Sequence, residues 1–450
     1  MNTKKQASLS NQIIEGDIGK QLLIFFFPIL FGTFFQQLYN TTDAVIVGKF
    51  VGKEALAAVG GSTSTIINLL VGFFVGLSSG ASVIISQYYG SGNRGKLTVA
   101  VHTSVALAIL GGGVMMIIGI VFAPLALSLM GTPSEIMADS VTYMRIYMLG
   151  MIPSMLYNMG AAILRAVGDS RRPLYFLMSA CGVNIVLDLF FVVVLDMGVA
   201  GVGIATTMSQ VASAVLTLYV LLRTNEPYKV TPKRVMLHKR YLEIILKIGL
   251  PAGLQSAMYS ISNLVIQSAI NVYGTDAVAA WTAYGKVDNL FWMIMSAYGI
   301  AITTFAGQNF GAGKKDRVRK SVRICLMMAA VTSIVLAFIV VRYGSILLRL
   351  FTDDASVIEL SMRMIMVISP AYITYICIEI LSGACRGCGD SLMPMILTCF
   401  GVCVLRIVWI FTAERISPGI ETISFSYPLT WTVTSVLFII YYNTRKWLKG

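Results

Sequence analysis

The chain is patterned as long apolar runs separated by short polar loops. Continuous stretches of about twenty apolar residues, the length that crosses about 30 Å of hydrocarbon, predict helices over 21–47, 57–86, 97–123, 138–164, 173–195, 200–222, 241–271, 279–307, 321–346, 357–384, 393–413 and 423–444. The runs do not alternate residue by residue as the strands of an outer-membrane barrel do. In lipid only helices and closed barrels satisfy the backbone, so the predicted fold is an all-α membrane protein of twelve transmembrane helices. The first run is too long for the apolar core of a signal peptide and is read as a retained span.

The same pattern occurs twice, at an offset of about 221 residues. Gly52-Lys-Glu-Ala-Leu-Ala-Ala58 matches Gly274-Thr-Asp-Ala-Val-Ala-Ala280, and Gln87-Tyr-Tyr-Gly90-Ser-Gly92 matches Gln308-Asn-Phe-Gly311-Ala-Gly313. Arg165-Ala-Val-Gly168-Asp169-Ser170 through Pro173 matches Arg386-Gly-Cys-Gly389-Asp390-Ser391 through Pro394, and Pro28 pairs with Pro251. Each half has an even number of spans, so the copies enter the membrane in the same direction, the parallel-repeat plan of a two-lobed transporter. The expected units are an amino-terminal lobe over 1–222, a linker over 223–240 with Pro227 and Pro232, and a carboxyl-terminal lobe over 241–450.

Composition agrees with this reading. The chain of 450 residues is 56% hydrophobic and 12% charged, too apolar for a water-soluble domain, and carries a formal net charge of +13. The cations gather in alternate short loops, from Lys4, Lys5 and Lys20 through Arg165, Arg171 and Arg172 to the linker, the 314–323 loop, and Arg445, Lys446 and Lys449. The intervening loops hold Glu135, Asp139, Asp196, Asp276, Asp353 and Asp354. The positive-inside rule then places both termini and the linker in the cytoplasm of a bacterial inner membrane. Topology accounts for the charge, and no nucleic-acid partner is expected.

Several chemistries are disfavoured. Gly198-Val-Ala-Gly201-Val-Gly203 follows no strand, and Gly311-Ala-Gly313-Lys314-Lys315 lacks the spacing and the hydroxyl residue of a phosphate-binding loop. No ATP-driven step is therefore expected, and uphill transport must draw on an ion gradient. Cys385-x-x-Cys388 with Cys399 and Cys403 has no histidine or acid at zinc-finger spacing, so no metal is expected there. The protein is read as a transporter with no catalytic residue and no cofactor, and as a monomer in the bilayer. The glycines Gly72, Gly76 and Gly80, four apart in the second span, allow close helix packing.

Ionisable groups at membrane depth are costly and usually functional. In the amino-terminal half, Asp43 shares a helix face with Tyr39, and Asn184 shares one with Asp188. With Asn158 and Thr206 they form a candidate cation-coupling cluster. Two carboxylates, an amide and hydroxyls suit a hard cation such as Na⁺, and closely placed carboxylates equally suit a proton. The positions matching Asn184 and Asp188 in the second half are Leu405 and Trp409, so that cluster is not duplicated. The second half instead has Lys286 and Asp288, Arg406, and Glu379 at the position matching Asn158. Glu379, Lys286, Asp288, Gln255 and Tyr259 are the candidate substrate-cavity residues, and Pro28 is the candidate hinge.

On Asp43-Ala-Val-Ile-Val-Gly48, the three duplicated loops and Asn184-Ile-Val-Leu-Asp188, the chain resembles the multidrug and toxic compound extrusion (MATE) family. The resemblance implies two parallel six-helix lobes forming a V-shaped cleft, with export of cationic or amphipathic drugs and metabolites in exchange for Na⁺ or H⁺. Carried over by position, it implies a cation site of Asp43, Asn184, Asp188 and Thr206, with Tyr39 and Asn158 nearby. Where some members place an acid in the seventh span, this chain has Gln255, Met258 and Tyr259. A lipid-linked saccharide flippase of the same superfamily and a passive channel are the alternatives.

Overall fold

The computed structural model describes residues 12–444; the cations Lys4, Lys5, Arg445, Lys446 and Lys449 lie outside them. Helices joined by short loops make up the described residues, without a strand. In order the helices are α1 (Ile18–Ile46), α2 (Lys53–Gly60), α3 (Ser62–Gly90), α4 (Arg94–Leu129), α5 (Ser134–Leu149), α6 (Met151–Ala166), α7 (Arg171–Asp188), α8 (Gly198–Arg223), α9 (Lys239–Asn271) and α10 (Thr275–Gly311). There follow α11 (Lys315–Leu348), α12 (Ala355–Ile368), α13 (Tyr372–Gly387), α14 (Leu392–Thr398), α15 (Leu405–Ile416) and α16 (Ile420–Thr444). Eleven are continuous spans once short breaks are joined, and α5 with α6 make a twelfth that bends by 49°. The expected helix over 138–164 is thus broken. Pro153 in the first turn of α6 has no N–H for the Leu149 carbonyl, and the chain turns at Gly150. The tenth span has a counterpart, a 3₁₀ turn over Ser369–Ala371 around Pro370.

Many large apolar side chains are exposed while many polar ones are buried, unlike the surface of a soluble protein. Along α4, Val114, Ile117, Val121, Phe122 and Leu125 are exposed at helical spacing, whereas Thr103 and Ser104 are buried. Hydrocarbon removes the penalty on the first set, and the helix interior meets the hydrogen-bonding needs of the second.

The chain packs as two compact units, Phe27–Gly253 and a second made of the residues up to Phe26 with Leu254–Gly450. Lobes counted by chain order divide at 222 and 241; packing divides instead within α1 and α9, each time within a turn of its proline, Pro28 or Pro251. In the Phe27–Gly253 unit, the start of α9 lies against α3 at glycines. A Cβ on Gly249 would sit 2.6 Å from the Leu77 carbonyl oxygen, and Gly76 meets Gly253 in the same way. In the other unit the corresponding contact is aromatic: Phe26 stacks on Tyr298 at 4.2 Å and Phe25 meets Phe305 edge-on at 6.0 Å.

The duplicated loops are helix-ending devices. Gly168 and Gly389 have φ of 96° and 97°, the left-handed region that glycine enters freely. Asp169 then accepts from the Arg171 and Arg172 backbone amides at 3.2 and 3.1 Å, capping α7.

The linker is packed onto the first unit. His102 Nδ1 lies 2.7 Å from the Thr98 carbonyl, which can only accept, so that nitrogen carries the proton and Nε2 accepts from the Thr231 amide at 2.9 Å. Thr98 in turn lies 2.9 Å from the Pro227 carbonyl.

Candidate functional site

Two polar sites lie among the apolar helices, one in each unit. In the Phe27–Gly253 unit, α1, α7 and α8 bring Asp43, Asn184, Asp188 and Thr206 together, all at most 6% exposed. Asn184 and Asp188 face inward together because they are four residues apart on α7. Directly after Asp188 the helix widens into a π-helical segment, Leu189–Val194, and a second, Val47–Val51, follows α1 one turn beyond Asp43. Such widening is common at functional sites because it turns side chains out of regular register.

The cluster is poorly paired. Asp43 Oδ1, both Asp188 oxygens, and both Asn184 amide atoms are buried with no hydrogen-bond partner, although Asn184 and Asp188 stand beside Asp43. The Thr206 hydroxyl has one proton and two acceptors within reach, the Val202 carbonyl at 2.9 Å and Asp43 Oδ2 at 3.3 Å. With that proton on the nearer acceptor, Asp43 needs a proton of its own or a cation. Oxygens orphaned in this way are a ligand set for a proton or a hard cation, each supplying the missing positive charge.

Tyr39 lies 3.4 Å from Ser209 Oγ, and Ser209 donates to the Thr206 carbonyl at 2.7 Å. Asn158 does not join the carboxylates. It donates to the Ser154 carbonyl at 2.9 Å and lines a neighbouring cavity of about 130 Å³ with Tyr39, Tyr147, Ser209 and Gln210. Sequence reasoning missed Tyr147, Ser209 and Gln210, although Gln210 falls one helical turn beyond Thr206.

The Leu254–Gly450 unit holds a larger cavity of about 600 Å³. Its wall includes Tyr259, Asp288, Glu379 and Arg406, set among Trp281, Tyr284, Trp292, Tyr375 and Tyr427. Tyr372 donates to Asp288 Oδ1 at 2.6 Å and Trp292 to Oδ2 at 2.7 Å. Tyr375 donates to Glu379 Oε2 at 3.1 Å. Phe291 stacks on Tyr372 at 3.9 Å, which fixes the hydroxyl that reaches Asp288. Lys286, an exposed residue, and Gln255 are not part of this wall. Asn158 and Glu379, 221 residues apart, each line the cavity of their own unit. The repeat therefore preserved the position and changed its charge.

A family model described as MatE matches residues 28–190 and again 251–412. A Bacillus subtilis protein named probable multidrug resistance protein YoeA is 27% identical, covering 98% of this chain and 97% of its own. A second from the same organism, probable multidrug resistance protein YpnP, is 28% identical with 96% of each chain covered. Among solved structures, an MOP superfamily transporter from Pyrococcus furiosus is similar with a TM-score of 0.91 at 23% identity, covering 98% of each chain.

Proposed function

The chain belongs to the MatE family of membrane transporters, and from that premise we propose that it exports cationic or amphipathic small molecules across the bacterial inner membrane in exchange for Na⁺ or H⁺ by alternating access. The carrying observation is the poorly paired carboxylate cluster. Two buried acids and an amide with unpaired oxygens are stable in a low-dielectric setting only with positive charge among them. Asp43, Asn184, Asp188 and Thr206 would hold the ion, with Tyr39 beside them.

An ion drives a conformational equilibrium only through different affinities for its two states. Pro28 removes the amide that the Ile24 carbonyl of α1 would otherwise receive and gives the Asp43 helix a place to bend. The aromatic cavity with Asp288, Tyr259 and Glu379 would take the exported compound, because ring faces and carboxylates both attract an organic cation.

The test is efflux from vesicles containing the purified protein under imposed Na⁺ or H⁺ gradients. Asp43→Asn and Asp188→Asn should abolish gradient-driven export, whereas Asp169→Asn should leave its ion dependence unchanged. Export by Asp43→Asn at the wild-type rate with unchanged ion dependence would sink the coupling assignment. Movement of lipid-linked saccharide alone, with no small-molecule efflux, would replace it with the flippase reading.

A further inference from the structure

Arg406 enters the same cavity from α15. It is 2% exposed, and among the described residues no carboxylate lies within ion-pair distance of it. Nη2 donates to Thr430 Oγ1 at 3.2 Å, and the guanidinium lies 3.9 Å above the Tyr427 ring. Nε is buried with no acceptor. The two carboxylates of the cavity are already served by neutral donors, Asp288 by Tyr372 and Trp292 and Glu379 by Tyr375. The arginine is thus held in place by a hydroxyl and a ring while its charge and part of its donor fork stay unmatched.

A buried guanidinium without an anion is one of the costliest arrangements a membrane protein can keep. The planar fork is suited to a carboxylate or a similar oxyanion, which it meets with parallel charge-assisted hydrogen bonds. At about 600 Å³ the cavity has room for a drug-sized molecule. We propose that it selects amphipathic compounds that carry an anionic group together with their cation, the anion meeting Arg406 and the cationic aromatic body lying among Tyr259, Trp292, Tyr375 and Glu379. This inference rests on the reading that the cavity takes the exported compound. It narrows the substrate class from cations in general to zwitterions.

The experiment is equilibrium binding, by fluorescence anisotropy, of tetramethylrhodamine free acid and of its methyl ester to the full chain in lipid nanodiscs. Both dyes carry the same cationic ring system, and only the free acid adds a carboxylate that makes it a zwitterion. The free acid should bind the wild type about tenfold more tightly. Arg406→Gln should remove that preference by weakening the free acid and not the ester, Arg406→Lys should keep part of it, and thermal unfolding of each variant checks that it is folded. Equal wild-type affinity for the two dyes, or an equal loss of both in Arg406→Gln, would overturn the zwitterion assignment while leaving the cavity reading in place. Absence of binding by either dye would overturn the cavity reading itself and this inference with it.

Discussion

The carboxylate of Glu379 occupies the space left by the missing side chain of Gly299, so that a methyl group on Gly299 would overlap Glu379 Oε1. Gly299 belongs to α10 and Glu379 to α13, and this is how a charged side chain fits between two closely packed helices. Gly299→Ala should therefore displace the carboxylate and destabilise the protein by about 1–3 kcal/mol, the usual cost of overpacking. In a Glu379→Ala background the same change should cost almost nothing. Thermal unfolding of the four proteins measures the coupling, and additive losses would show that the contact carries no strain.

With its proton on the Val202 carbonyl, Thr206 presents a hydroxyl oxygen to the carboxylate cluster, and one such polar contact to a bound ion is worth about 1 kcal/mol. Thr206→Val should weaken the apparent affinity for the driving ion roughly fivefold and leave the maximal efflux rate close to wild type. The readout is efflux rate against ion concentration. A collapse of the maximal rate with unchanged ion affinity would mean that the hydroxyl supports the fold rather than the ion.

Because the Thr231 amide donates to His102 Nε2, His102→Phe should loosen the linker while keeping an aromatic ring in place. Trypsin should then cut at Lys229, Lys233 or Arg234 severalfold faster than in the wild type. Cutting should occur in inverted membrane vesicles and not in intact cells, given the basic character of the segment. Cleavage from the outside of intact cells would reverse the proposed orientation.

Asp354 caps α12 by accepting from the Ser356 and Val357 amides at 2.9 and 3.4 Å and from the Ser356 hydroxyl at 2.8 Å. Those hydrogen bonds, the Ser356 hydroxyl first, hold its carboxyl below the ordinary aspartate range. A carboxyl lowered by folding adds stability above its unfolded value, near 3.9, and loses it as pH falls through the lower folded value. Amide-exchange protection of the first turn of α12 should therefore be steady down to about pH 4 and decline below it. In Asp354→Ala it should be low throughout, and a pH profile identical in both proteins would remove the carboxylate from the account.

Much of this architecture was legible because its signals are local. A run of apolar residues states a span by itself, and Gly168-Asp169 states a turn and a cap in two letters, one needing a left-handed backbone and the other accepting the next free amides. Asn184 and Asp188 were readable as one face from their spacing alone. The break at Gly150 was not, since hydropathy continues through it and only Pro153 betrays it. Nor was the role of Arg406 legible. A lone arginine in an apolar run gives no sign of which helices surround it, and its surroundings come from Tyr427 and Thr430 on α16 and from residues on α9, α10 and α13. Gln255 and Lys286 do not line this cavity for the same reason, because proximity along a helix does not fix the face.

The division of α1 near Pro28 has a consequence for biosynthesis. Arg317 donates to the Ile13 carbonyl at 3.1 and 3.2 Å across 304 residues of chain, and also reaches the Gly16 carbonyl. The segment before Phe26 therefore leaves the ribosome long before Tyr298, Phe305 and Arg317 exist, and must wait in the membrane while the whole Phe27–Gly253 unit is made. Closure of so long a loop is slow, and an unpartnered helix is open to mispairing meanwhile. For the same reason a gene cut within the linker would encode two fragments, neither of which contains a complete unit; each would have to lend the other its first helical turns before either could fold.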